Sequence, residues 1–409
     1  LAKVCMLVAY HPFLDARVFK KEAMSLVNNG HDVTIIAPRK DGYLFDIDGT
    51  PFKDRFLERT FVHEKIKIVT YDGYTGRATV PEMIQNLKSG EYSSFLDPLT
   101  QEGLKQDADI FHAQEYLSLY SGVGIKRAMK AKGKSVKLIY DSHEIVPDPF
   151  GAMAENRKKD LHEILEMMLK EVDYIIAVSD SMKAWYLTLD PSLPVGVIYN
   201  SPPLATDYKP KQFSTDKLVV GYEGNITSSR GSIDKIIGIT RECSQEVDFK
   251  FKIIGGMRHN EKNIIPSDVK DKIELAGWVD YYKIPEEMKE IEVGWIDYEV
   301  QNALNHAFAL PNKFFSFLNN GVPVIVNKCP EMERFIQTYH CGMVIDKENA
   351  TVQDYKKALL YLHKKKHKLK SMSINARKIM EEIYSWEHME KRLLNIYERL
   401  LATGARYIL

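Results

Sequence analysis

Cysteine is scarce in this chain, four in 409 residues. Cys5, Cys243, Cys329 and Cys341 are scattered. Their spacing describes neither a disulfide framework nor a cysteine metal site, and a reducing compartment is the simplest setting. No apolar run approaches the roughly 20 residues needed to span a bilayer, and the start lacks a cleavable-signal pattern. The expectation is a cytoplasmic protein, with peripheral membrane association left open. An excess of one charge is also missing: 56 lysines and arginines stand against 56 aspartates and glutamates. With no overall field to draw the chain onto a polyanion, nucleic acid is not an expected partner. No short repeat of solenoid length and no low-complexity segment occurs. No histidine pair or carboxylate pair has the spacing of a divalent-ion site, so no metal ligands are expected.

What is present is an alternation of short β-branched runs and amphipathic segments, long enough for two domains. Strands are predicted over 4–9 and 32–37, with a helix over 16–29 that Gly30 closes. An aromatic, irregular segment over 41–106 reads as binding loop rather than scaffold. Alternation resumes with strands over 109–112, 136–140, 174–178 and 195–199. Pro202, Pro203 and Pro210 mark a linker over 200–216. A second series starts at 218–222 and continues through strands over 249–254, 273–275 and 292–295. The fold class is therefore α/β, two Rossmann-like doubly wound domains whose ligand crevices are expected to face each other across a cleft. The expected division is 1–205, 206–385, and a helix over 386–409 that crosses back to the first domain.

The stretch over 310–326, LPNKFFSFLNNGVPVIV, organises the second domain. Pro311 suits the first turn of a helix, Gly321 suits the left-handed residue after its end, and the β-branched run that follows suits a buried parallel strand. The helix start with Lys313 beside it is a seat for phosphate. GYEGNITSSRG, over 221–231, leaves a strand and opens a helix; its glycines permit close backbone approach, and Arg230 can grip a phosphate through two nitrogens. The alternative for this motif is an ordinary turn with a solvated arginine. In the first domain, His112 in FHAQE and His143 in YDSHE end predicted strands and are expected to point into the cleft. A polar loop residue is the alternative for each, and a helix cap the alternative for Asp15. The basic run over 363–370 reads as a solvated helix face, with anionic lipid headgroups as the other possibility.

Taken in order, DARVFKKEAMSLVNNGHDVTIIA, FHAQE, YDSHE, VDYIIAVSD, VIYNSP, LPNKFFSFLNNGVPVI and YSWEHMEKRLLNIYERL resemble a GT-B glycosyltransferase of family 4. The resemblance covers nearly the whole chain. It implies a retaining, metal-independent transfer of a sugar from a UDP- or GDP-linked donor to a hydroxyl acceptor, carbohydrate or lipid-linked, as in cell-surface polysaccharide synthesis. No cofactor is implied beyond the nucleotide-sugar substrate, and the oligomeric state is left open. The donor side would comprise Gly224, Asn225, Ser229, Arg230, Asn312, Lys313 and Ser316. The acceptor side would comprise Asp15, His112, Glu115, His143 and Glu144, with His143, Arg230 and Lys313 catalytic. The sequence departs from the family where its paired glutamates fall on Phe308 and Ser316, and where an arginine falls on Asn225. These departures keep a second reading open, a catalytically silent subunit that binds a nucleotide or a partner transferase.

Overall fold

The structure is a computed structural model that describes residues 1–402 other than 74, 228 and 257–264. The chain divides into two compact units, Leu1–Ile198 with Glu390–Leu409, and Tyr199–Met389.

The first unit holds strands β1 (Lys3–Val8), β2 (Asp32–Arg39), β3 (Thr60–His63), β4 (Ile66–Asp72), β5 (Ile110–Gln114), β6 (Lys137–Ser142), β7 (Tyr174–Ala177) and β8 (Val195–Val197). They form one sheet in the order β3-β4-β2-β1-β5-β6-β7-β8. All neighbours run parallel except β3 and β4. Val4 to Val8 of β1 are all buried, as expected of a central parallel strand covered on both faces. Val8 pairs with Gln114 and Gln114 with Asp141, so β1, β5 and β6 end side by side. That carboxyl edge is where open α/β sheets receive ligands.

The helix predicted over 16–29 is two pieces, wide π-type turns over Ala16–Ala23 and an α-helix over Met24–Asn28. Asp15 caps it, its carboxylate accepting the N–H groups of Arg17 and Val18. The segment over 41–106 is not the irregular loop expected. It contains the β3–β4 hairpin and helices over Val80–Ser89 and Pro98–Gly103. The hairpin escapes notice because its left-handed turn residues are Glu64 (φ 48°) and Lys65 (φ 68°), not the glycine or asparagine that usually announce such a turn.

The second unit holds β9 (Lys217–Asn225), β10 (Asp248–Gly256), β11 (Ile273–Gly277), β12 (Val293–Ile296), β13 (Val324–Val326) and β14 (Gly342–Val344). Their order is β11-β10-β9-β12-β13-β14 and all run parallel. This is the 3-2-1-4-5-6 arrangement of a Rossmann sheet. Trp295 anchors the core, with the rings of Tyr222, Phe251 and Tyr355 around it. The helix of the 310–326 stretch spans Asn312–Asn319 and buries Phe314, Phe315, Phe317 and Leu318. Pro311 is its extended cap residue (φ −72°, ψ 160°) rather than part of its first turn. Gly321 follows it with φ 63°, as predicted. The basic run over 363–370 is divided between helices Val352–Lys364 and Lys366–Ile379, and it buries Leu369 and His363. Among the described residues, no helix is long and apolar enough to cross a membrane.

Candidate functional site

In the second unit the carboxyl end of β9 is stripped of side chains at Gly224 (φ 107°). There it meets Gly255 of β10 (φ 106°), where a Cβ would lie 2.5 Å from the Gly224 carbonyl oxygen. Only glycine fits such contact. Lys313, from the first turn of helix Asn312–Asn319, is 8% exposed, and its Nζ comes within 3.4 Å of where a Gly224 side chain would begin. The ammonium lies 4.8 Å from the centre of the Tyr222 ring and 5.6 Å from that of Tyr298. The Arg230 guanidinium lies 5.9 Å from the same Tyr298 ring. Two cations, one from the loop after β9 and one from a helix start, thus share one aromatic ring beside a bare strand end, within reach of a single polyanion.

Burial pulls Lys313 down to about 8, and Arg230 adds to this while Glu223 opposes it. Burial likewise raises Glu223, against a hydrogen bond from Ser316 and the charge of Lys313. Glu223 Oε2 and Asn225 Oδ1 are buried without hydrogen-bond partners, two acceptors suited to ligand hydroxyl or N–H donors. Arg230 is aimed by His306: its Nε donates to His306 Nε2 at 3.1 Å, and His306 Nδ1 donates to the Glu299 carbonyl at 2.7 Å. These partners assign His306 as the neutral Nδ1–H tautomer. The Ser229 carbonyl accepts the Glu299 N–H, tying the loop to the segment after β12. Asn312 is exposed at the helix start, and Ser316 is buried one turn further on.

In the first unit the carboxyl edge carries His11, Asp15, Glu115 and His143. His11 Nε2 lies 2.9 Å from Glu115 Oε1, and His143 Nδ1 lies 3.6 Å from the same oxygen. Asp15 Oδ2 is 3.8 Å from His11 Nδ1. Burial disfavours the charged His11 ring, but Glu115 and Asp15 outweigh it and bring His11 to about 9. Glu115 is held with φ 68°, the left-handed region that glycine favours. His143 Nε2 bonds Gln114 Oε1 at 2.9 Å. Glu144 is exposed.

His112 corrects the sequence reading. It is the third residue of β5, fully buried, with Nδ1 2.9 Å from the Tyr397 hydroxyl, and does not reach the carboxyl edge. Burial lowers it to about 4, so the ring is neutral. It belongs to a buried polar cluster in which Arg17 grips Asp141 through Nε (2.8 Å) and Nη2 (2.9 Å), reaches the Ile198 carbonyl (3.2 Å) and pairs with Glu22 (3.1 Å). Burial alone would raise Asp141, but Arg17 and His143 hold it well below the usual carboxylate range. The structure therefore gathers Gly224, Arg230, Lys313 and Ser316 in one unit and Asp15, Glu115 and His143 in the other. Sequence reasoning missed Glu223, Tyr298 and His306, and it missed His11. His11 follows the first strand of the sheet, the one positional signal that could have found it.

Residues 16–203 match the family model of Glycosyltransferase Family 4. No curated protein matches the sequence. Among solved structures, sucrose-phosphate synthase from Thermosynechococcus elongatus is similar, with a TM-score of 0.68 at 13% identity over 98% of this chain and 99% of its own. Anabaena HepE in complex with UDP also gives 0.68 at 13% identity, over 97% of this chain and 100% of its own. A glycosyltransferase from Rickettsia africae gives 0.64 at 15%, over 98% of both chains. The two Rossmann-like sheets and these matches define a protein of the GT-B class. Within that fold, residues 16–203, a little under half of the chain, are similar to Glycosyltransferase Family 4.

Proposed function

We propose that the protein is a retaining glycosyltransferase that takes its sugar from a UDP-linked donor and passes it to a hydroxyl of a carbohydrate or lipid-linked acceptor. The observation that carries this reading is the pair Lys313 and Arg230 over Tyr298, beside Gly224. A leaving nucleoside diphosphate gains charge as the glycosidic bond breaks, and two fixed cations with the N–H groups of a helix start stabilise that charge without a divalent ion. The ring of His306 keeps Arg230 in position, so little reorganisation is needed at that step. HepE, of similar fold, is described with UDP bound, which supports UDP over other nucleotides.

Ser316 cannot by itself replace a ribose-binding carboxylate. Glu223 supplies one from β9, its carboxyl bonded to Ser316 and its Oε2 without a partner. A ribose hydroxyl donating to that oxygen would satisfy it, which weakens the case for a silent subunit. In the first unit, His143 and Glu115 would orient the acceptor hydroxyl. Cytoplasmic location and service in polysaccharide synthesis complete the proposal.

Calorimetric titration with UDP tests the donor side. Arg230→Ala and Lys313→Ala are each expected to weaken binding roughly 10- to 100-fold, the loss of a charge-assisted contact worth about 1.5–3 kcal/mol. Undiminished binding in both variants would overturn the assignment. Turnover is read separately, as release of UDP from UDP-sugars with candidate acceptors. Saturable UDP binding with no turnover across acceptors would favour the silent subunit.

A further inference from the structure

We propose that His11, Glu115 and His143 form a binding site for a zinc-like divalent transition-metal ion at the carboxyl edge of the first unit's sheet. Their ligand atoms, two imidazole nitrogens and a carboxylate oxygen, all lie within 4.8 Å of one another. Around a tetrahedral zinc ion with bonds of about 2.0–2.2 Å, ligand atoms stand about 3.3 Å apart. The observed separations of 2.9 and 3.6 Å from Glu115 Oε1 bracket that spacing. Nitrogen and oxygen donors of this kind suit zinc, cobalt and nickel better than magnesium or calcium.

The surroundings point the same way. His143 Nε2 faces the Gln114 side-chain carbonyl at 2.9 Å, and Gln114 Nε2 in turn donates to Glu22 Oε2 at 2.8 Å. The Gln114 amide is thereby oriented with its oxygen towards the ring, so His143 donates from Nε2. On a neutral ring Nδ1 is then the ligand nitrogen, on the side that faces Glu115 Oε1 at 3.6 Å. An outer hydrogen bond of this type is what fixes the tautomer of a metal-ligating histidine. His11 Nε2 lies 2.9 Å from Glu115 Oε1, a contact that a metal ion would replace on displacing the ring's proton. Asp15, itself anchored by two backbone N–H groups, flanks the other nitrogen of that ring.

The three residues follow β1, β5 and β6, neighbouring strands whose register is fixed, so the ligands sit on rigid supports. Their side chains remain 29%, 21% and 13% exposed, which leaves a fourth position open to solvent. Among the described residues, the other histidine–carboxylate group, Glu22, His112 and Asp141, is fully buried and already occupied by the Arg17 guanidinium.

The test is titration of chelator-treated, full-length protein with Co²⁺, read by visible d–d absorption and followed by displacement with Zn²⁺. The expected result is a band that saturates at one ion per chain and bleaches with Zn²⁺. His11→Ala, His143→Ala and Glu115→Gln should each weaken binding more than ~10-fold. Gln114→Ala should weaken it by about 10- to 100-fold through lost support of the ring. His162→Ala, at a surface pair with Glu166, should change nothing, and thermal melts report whether each variant is folded. Absence of the band in the wild type, or its persistence in the folded His11→Ala/His143→Ala double variant, would overturn the site. The readout is binding alone, so its failure leaves the transferase reading untouched.

Discussion

Lys313 carries its charge under tension. Its ordinary pKa of 10.5 is brought to about 8 by burial and by Arg230, with Glu223 pulling the other way. A diphosphate binds the protonated form, so the contribution of Lys313 to UDP affinity should be nearly complete at pH 7. It should fall as pH rises through 8, by up to about tenfold per further unit, since each unit removes tenfold of the protonated species. Calorimetry across pH 7–9.5 checks this, and Lys313→Ala should flatten the profile. Glu223→Gln removes the charge that supports the ammonium, so the fall should begin at lower pH. Arg230→Ala removes a repelling charge and should shift it upward. A profile indifferent to Glu223→Gln would mean that the carboxyl lies outside the donor group's electrostatics.

The glycine contact between the ends of β9 and β10 sets how closely a ligand backbone or phosphate can approach. Gly255→Ala would place a methyl 2.5 Å from the Gly224 carbonyl oxygen at φ 106°. It should cost about 1–3 kcal/mol in thermal or denaturant unfolding and disturb the seat for phosphate. Gly49→Ala, also at positive φ but facing open space, should cost less. The helix of the 310–326 stretch was legible because its proline, its glycine and its buried aromatic face are local signals. The same holds for Arg230 and Lys313, which sit next to glycines or a helix start in the sequence. Glu223 and His306 were not legible. Glu223 acquires its role only when β9 is laid against helix Asn312–Asn319. His306 lies 76 residues from the arginine it aims, with no motif of its own. His112 failed for the opposite reason: a histidine near a strand end reads as a surface ligand, and only the longer strand, Ile110–Gln114, draws it inside.

Across the molecule, the two units repeat one sheet logic but are secured differently. The second unit rests on an aromatic core around Trp295. The first adds a buried ionic cluster to its apolar core. Arg17→Met would strand Asp141 without its guanidinium and should destabilise that unit by about 3–5 kcal/mol, seen as an early unfolding transition. Tyr397→Phe, which removes only the hydroxyl facing His112, should cost about 1 kcal/mol.

Tyr397 belongs to helix Trp386–Ala402, and from Glu390 onward that helix is part of the first unit. During translation, the whole of Tyr199–Met389 therefore leaves the ribosome before the first unit has received its closing segment. The unit made first is the one completed last. Until residues 390–402 emerge, the nascent chain carries His112 without its hydroxyl partner, and this interval is when it would most need a chaperone.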